Sequence, residues 1–396
     1  MMTTTSMTTI RTSAAHPRIA ILTWYSYWNY GTVLQAYAMQ TTVKNLKYEP
    51  FDIAYNPEIG AASHERKRLT IERLISIFKW VYGYRALSNP DRSATFEEFI
   101  QNNIKLTKPV ATSEEFQELN SQFDCFICGS DQVWSPRFFD PRYYLDFVED
   151  STKKIAYAPS FGCDSLEGHP SSKRIGQLLQ TFSAIGVREE SGKSIVAACT
   201  GREPTLVLDP TLLLGPAAWR ELSAVSREDG PYCLFYFLGN YKPNRRAAQN
   251  IAHKLGLRIV EVPVFQADLK DREAVSYPVG PKEFLTLLDH AELICTDSFH
   301  GTAFATLFSK PLVVFERFDP ASPSSQNTRI YSFLNMFGMQ DNMLGRSELD
   351  NWHKLCNHNC NYNKVDSLLE KRRNESISFL NSSIERAIRS SFEVNF

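Results

Sequence analysis

The most chemically loaded stretch of the chain reads DSFHGT, Asp297 to Thr302. It follows the apolar run ELIC and precedes a segment of helical period, so it marks a strand running into a helix start. The first amides of a helix lack partners within it and point outward, which makes such a turn a ready anion site. Gly301 would let a ligand approach the backbone, and Ser298 and Thr302 would add hydroxyl donors. An imidazolium at His300 would both bind phosphate oxygens and donate a proton. The plainer alternative has Asp297 or Ser298 capping the helix and His300 bonding a backbone carbonyl.

Three other stretches share this placement after a strand. GSDQVW (129–134) follows the apolar run FDCFIC: Gly129 lets the chain turn, and Ser130, Asp131 and Gln132 would project at the sheet edge. A carboxylate there can take a proton from a sugar hydroxyl, or only stabilise the turn. TWYSYWNYGT places Trp24, Tyr25, Tyr27, Trp28 and Tyr30 in seven positions, a surplus of rings suited to core packing or to stacking on sugar faces. Asn29 and Gly31 precede the next helix and would line the same edge. Arg188, after AIGV, offers a planar fork for a carboxylate or phosphate, or a surface ion pair with Glu189 or Glu190. Neither glycine-rich phosphate fingerprint is present, neither G-x-G-x-x-G nor G-x-x-x-x-G-K-[ST]. The Cys and His residues of HKLCNHNC (353–360) lack a second pair at zinc-finger spacing, so no metal site is expected.

These edges must be held by strands and helices, and the pattern supplies them. RIAILTW (18–24), a helical period over 33–46 and YEPFDIAY (48–55) open a βαβ series. A basic helical insertion, 63–105, interrupts it, and strands at 123–129, 154–160 and 184–189 resume, with a helix at 171–182. A proline-bearing stretch (203–219) closes this half. A second series follows: strand 232–239, helix 244–256, strand 258–264, helix 281–290, strand 291–296, helix 300–309 and strand 311–317. Strands alternating with helices in two series predict an α/β chain of two Rossmann-like domains facing across a cleft. The expected boundaries are a disordered tail at 1–17, an N-terminal domain at 18–205, a C-terminal domain at 206–345 and a helical segment at 346–396. The last helix (363–391), with Val365, Leu368, Leu369, Ile377, Leu380 and Ile384 on one side, is expected to pack back onto the first domain.

With 396 residues, 43% apolar and 22% charged, the chain is an ordinary globular one with room for two cores. A net charge of −1 offers no field for nucleic acid, and no apolar run reaches the roughly 20 residues of a membrane span. The cysteines sit mostly in apolar runs and the first residues are Thr/Ser-rich without an apolar core, so a reducing cytoplasm is expected.

Taken in order, NYGTVLQAYAM, DCFICGSDQVW, IGVREES, LVLDPTLLL, ICTDSFHGTAFATLFSKPLVVF, TRIYSFLNMFGM and NYNKVDSLLEKRRNESISFLNSSI resemble the polysaccharide pyruvyl transferase family. The resemblance runs from about residue 18 to about residue 390. It implies a GT-B-like fold and transfer of a pyruvyl group from phosphoenolpyruvate to sugar hydroxyls as a ketal, with phosphoenolpyruvate as co-substrate and no cofactor. The family histidine falls on His300 and its arginine on Arg188. Some relatives carry an arginine where this chain has Ser298, and Arg317 or Arg329 would supply that cation. In this scheme His300 is acid and phosphate ligand, Arg188 clamps the anion and Asp131 is the base.

The acceptor is expected to be a sugar or a lipid-linked oligosaccharide. HERKRLTIERLISIFKWVYGYRALSNPDR (64–92) carries seven Lys/Arg against three Asp/Glu, interleaved with Phe78, Trp80, Tyr82 and Tyr84. One reading is peripheral contact with the inner face of the membrane, the other a solvated helix whose rings fill the interdomain core. Two competing functions share the pattern: a GT-B glycosyltransferase using a nucleotide sugar, and a non-catalytic glycan-binding protein.

Overall fold

The computed structural model describes residues 16–55, 90–264, 268, 273–322, 325–357 and 360–393. The expected N-terminal tail, almost all of the basic 64–92 stretch and His358 of the 353–360 cluster lie outside the described residues.

The first lobe contains β1 (Arg18–Leu22), α1 (Tyr30–Asn45), β2 (Glu49–Asp52), α2 (Pro90–Asn103), α3 (Ser113–Gln122), β3 (Cys125–Cys128), β4 (Lys154–Tyr157), α4 (Ser172–Leu179), β5 (Ala184–Val187), α5 (Glu190–Thr200) and β6 (Thr205–Leu206). Its strands form one parallel sheet in the order β2-β1-β3-β4-β5-β6. The second lobe holds α6 (Pro216–Leu222), β7 (Tyr232–Tyr236), α7 (Lys242–Lys254), β8 (Arg258–Glu261), α8 (Pro281–His290), β9 (Leu293–Thr296), α9 (Phe299–Leu307), β10 (Leu312–Phe315), α10 (Thr328–Phe337) and β11 (Met343–Leu344). Its parallel sheet runs β11-β10-β9-β7-β8. Leu206, placed beyond the first domain by the sequence boundary at 205, is the last residue of β6 and pairs with Val187 in the first sheet.

The strands are short apolar runs because helices cover both faces of each sheet, and the observed strands are shorter than the runs that signal them. In the run 184–189, for example, β5 stops at Val187, leaving Arg188 and Glu189 beyond its carboxyl end. Cys125, Cys128, Cys233 and Cys295 are buried and unpaired, behaving as small apolar side chains.

One apolar cluster is shared by the lobes: Val33 and Leu34 of α1 belong to it together with Phe284 of α8 and Phe304 of α9. Tyr30 is its pin. Its ring stacks on Phe284 at 4.2 Å and 12°, and its hydroxyl donates to the Val279 carbonyl at 2.9 Å. Separate clusters fill the outer faces of the first and second sheets.

The last helix, α11 (Tyr362–Glu393), starts on the second lobe, where Ser309 donates to Asp366 and the Tyr362 hydroxyl to the Lys310 carbonyl. It ends on the first. Ser376 Oγ accepts from the Leu208 amide at 3.0 Å and Arg373 Nε donates to the Leu212 carbonyl at 2.7 Å. Gly186 in β5 leaves the space that the Phe379 ring occupies, since a Cβ there would stand 2.7 Å from it. Val365, Leu369, Leu380 and Ile384 are buried along this face, while Leu368 and Ile377 pack at its margin.

Candidate active site between the lobes

Four elements converge where the carboxyl edges of the two sheets face each other. Asn29 ends the β1 loop as N-cap of α1, its side chain accepting from the Thr32 amide at 3.2 Å. The next residues, Gly31 and Thr32, are the ones that touch the cluster. Thr32 Oγ1 donates to Asp131 Oδ2 at 2.7 Å. Gly31 lies flat against the His300 ring: a Cβ there would overlap Nδ1 and Cγ and stand 2.6 Å from Cε1. The imidazole, carried by the first turn of α9 in the second lobe, therefore reaches into the first.

On the other side of that ring lies Asp209, a residue the chemistry of the sequence alone did not single out. It follows β6 and caps a short helical turn, accepting from the Thr211 amide and hydroxyl at 3.0 and 2.8 Å. Its Oδ2 receives Arg188 Nη1 at 2.8 Å and Ser130 Oγ at 3.1 Å, and lies 3.7 Å from His300 Nε2. Burial alone would raise the Asp209 carboxyl. His300, Arg188 and the Thr211 amide outweigh it and hold the group well below the usual carboxylate range. Asp209 is thus a fixed negative charge at the centre of the cluster.

Arg188 is 4% exposed, not the surface residue of the plainer alternative. Its guanidinium lies over the Phe299 ring at 4.3 Å, and its Nε is 3.6 Å from Glu189, itself buried. Burial opposes its charge, but Asp209, Glu189 and Asp131 carry its pKa above the ordinary value. Nε and Nη2 nonetheless have no hydrogen-bond acceptor among the described residues. Arg329, on α10, enters the same group and gives Nη2 to Gln326 at 3.2 Å, while its buried Nε has no acceptor. Burial, then the charge of Arg188, push its pKa down to about 10. Two guanidiniums, one from each lobe, are held close enough to repel, with N–H groups left over.

The turn after β3 supplies the remaining wall. Gly129 has φ +108° and no room for a Cβ beside the Tyr157 carbonyl, so only glycine serves there. Asp131 adopts φ +65°, which aspartate tolerates, and Gln132 Nε2 reaches across the lobes to Gln326 at 3.0 Å. Gln35, fully buried, ties this turn to the β1 loop: Nε2 donates to the Trp24 carbonyl at 2.7 Å and Oε1 accepts from the Ser130 amide at 3.3 Å.

Several expected ligand groups are occupied elsewhere. Ser298 is the N-cap of α9 and accepts from the Gly301 amide at 3.3 Å. Thr302 Oγ1 donates back to the Ser298 carbonyl at 2.9 Å, so its hydroxyl is not offered to the cleft. Gly301 faces the second lobe's interior, where a Cβ would stand 2.5 Å from Thr296 Oγ1, so its small size serves packing. Arg317 lies beside Gly239 and Asp297 and over Phe318, while Arg329 is the cation that stands by Arg188. No group of three His, Cys, Asp or Glu suited to a metal ion occurs among the described residues.

Two parallel α/β lobes closing on a buried cluster of paired and unpaired charges define a GT-B-like two-domain enzyme. The fold is shared with a putative UDP-N-acetylglucosamine 2-epimerase from Listeria monocytogenes, at 10% identity over 89% of this chain and 91% of that one, TM-score 0.50. It is shared equally with the glycotransferase of kitacinnamycin, at 12% identity over 94% and 99%, TM-score 0.50. At such identities the likeness is one of fold alone, and no curated protein matches the sequence. The chain belongs to the polysaccharide pyruvyl transferase family, whose model matches residues 29–320. It is accordingly a pyruvyltransferase of polysaccharide synthesis, with phosphoenolpyruvate as co-substrate and a glycan as acceptor.

Proposed function

We propose that phosphoenolpyruvate sits between Arg188, Arg329 and His300, and that its pyruvyl group passes to two hydroxyls of one sugar as a cyclic ketal. One observation carries this reading: Arg188 and Arg329 are buried beside each other with N–H groups that lack acceptors. Buried guanidinium N–H groups without acceptors are costly even where Asp209 and Glu189 balance the charge of Arg188, and an anion with two acidic ends would supply acceptors to both arginines. Asp209 orients Arg188 and stands 3.7 Å from His300 Nε2.

The steps follow from these positions. His300 delivers a proton to C3 of the enol, leaving C2 electron-poor. A sugar hydroxyl adds to C2 while Asp131, held by Thr32, takes its proton. Phosphate then leaves with the oxygen that joined it to C2, carrying off the proton that Asp131 took, and the second hydroxyl closes the ketal at the same carbon as its proton returns to His300. Arg188 and Arg329 hold the carboxylate and the departing phosphate throughout.

The nucleotide-sugar alternative is disfavoured by the turn after β7. A first βα turn of this fold presents free amides to a diphosphate. Here the Leu238 and Gly239 amides both donate to the buried Asp297 carboxylate, at 2.7 and 2.9 Å. Asp131 and Gln132 are then assigned to the acceptor side of the cleft, Asn29, Gly31 and Ser130 to the packing that holds it, and Ser298, Gly301 and Thr302 to the turn that carries His300.

The acceptor is proposed to be lipid-linked and met at the inner face of the membrane, on the charge pattern of 64–92 alone. No helix among the described residues is long and apolar enough to cross a membrane. The test of the reaction is phosphate release by the purified protein with a glycan acceptor. Release with phosphoenolpyruvate and none of the nucleotide from UDP- or GDP-sugars is expected. Nucleotide release without phosphoenolpyruvate turnover would overturn the proposal.

A further inference from the structure

Of the aromatic residues in the β1 loop, Tyr30 pins the lobes and Tyr25 and Trp28 pack against the same shared cluster. Trp24 and Tyr27 remain half-exposed. The Trp24 ring meets Tyr27 at 5.8 Å and 73°, and Phe138, from the β3 loop, at 6.0 Å and 74°. Tyr143 backs Trp24 from within at 6.4 Å and 89°. Phe138 is 51% exposed, and large apolar side chains that open are rare among the described residues.

Both loops also build the catalytic wall. Trp24 follows Thr23, whose hydroxyl donates to the Ser130 carbonyl at 3.0 Å, and Phe138 follows Asp131 in the same connection. Gln35 joins them by holding the Trp24 carbonyl and the Ser130 amide together. Tyr27 has φ +71° and Trp28 φ +47°, unusual for bulky residues, and Arg92 donates to the Trp28 carbonyl at 3.0 Å. The loop that carries Trp24 and Tyr27 is thus tied to the turn that carries Asp131. Flat rings edged by polar groups, here Asp140 held by the Tyr55 hydroxyl at 2.7 Å, suit the C–H face and hydroxyl rim of a pyranose.

We propose that Trp24, Tyr27 and Phe138 form a stacking subsite for a pyranose ring of the acceptor, on the Asp131 side of the cleft. The assignment rests on the pyruvyl-transfer reading for its role, but its test does not need that reaction. Saturation-transfer NMR with methyl β-D-galactopyranoside, methyl β-D-glucopyranoside and methyl β-D-mannopyranoside, without phosphoenolpyruvate, measures binding directly. At least one should bind the wild type with its ring C–H protons receiving saturation from aromatic protons. Phe138→Ala and Phe138→Leu should each weaken that binding about tenfold, the order of one aromatic contact, and Phe138→Trp should restore it. Phe138→Leu keeps apolar bulk, so its loss isolates the ring face. Failure of all three pyranosides to bind the wild type, or unchanged binding in the Ala and Leu variants, overturns the subsite. Binding with no pyruvyl transfer under any condition would instead remove the proposed reaction and leave the subsite standing.

Discussion

Gly31→Ala sets two physical effects against each other. In the first turn of α1, alanine should be favoured over glycine by up to about 1 kcal/mol, because it loses less backbone entropy on folding. The new methyl, however, would overlap the His300 ring and stand 2.6 Å from Cε1, where an ordinary contact needs about 1 Å more. The ring has little freedom to retreat, with Phe299 edge-on at 5.2 Å and Asp209 beyond Nε2 at 3.7 Å. Overpacking of this kind costs roughly 1–3 kcal/mol, so the net expectation is a protein of equal or slightly lower stability. A displacement of about 1 Å at a reacting group costs on the order of 100-fold in kcat. Phosphate release under saturating phosphoenolpyruvate and acceptor reads the second effect, and thermal unfolding the first. A Gly31→Ala protein that is more stable than wild type and keeps kcat within about twofold would refute the placement of His300 against α1.

Other perturbations carry equally definite signs. Arg329→Met should remove a charge disfavoured first by burial and then by Arg188, and so raise the thermal unfolding temperature. The same variant should lose phosphoenolpyruvate binding by calorimetry, and a destabilised variant that still binds would contradict the assignment. Asp52 is fully buried, and burial, only partly offset by Gln40, pushes its carboxyl up to about 8. The folded protein then holds a proton that the unfolded chain releases above about pH 4, so this group lowers stability as pH rises from about 4 to 8. Asp52→Asn should flatten that slope, with a gain over wild type that is larger at pH 8 than at pH 5. A parallel pH–Tm profile for the two proteins would count against it.

The parts legible in the sequence are those fixed by local period and by position after a strand. Apolar runs of six to eight residues followed by helical spacing located the two sheets, and the segment after such a run is where His300, Arg188 and Asp131 stand. Partners chosen by tertiary packing left no such mark. Asp209 sits in LVLDPTLLL, where a proline turn explains an aspartate as well as an active site does, and only the fold brings it to Arg188 and His300. Gln35 lies in a helical run and looks like any exposed polar position, yet it is fully buried and bridges two loops. Ser298, Gly301 and Thr302 show the opposite hazard: a helix start needs a cap and close packing whether or not it binds an anion, and these residues are spent on that need. Between Arg317 and Arg329 the sequence offered no choice, because their distances from Arg188 are set by the packing of α10 against α9.

The proposed proton delivery to C3 by His300 can be followed atom by atom in D2O. Turnover of phosphoenolpyruvate and acceptor there should give a ketal whose methyl group carries one deuterium, seen by mass spectrometry. His300→Gln should cut its formation by roughly 100- to 10,000-fold with phosphoenolpyruvate still bound. Ketal formed by His300→Gln at the wild-type rate, or a methyl group free of deuterium, would contradict the account.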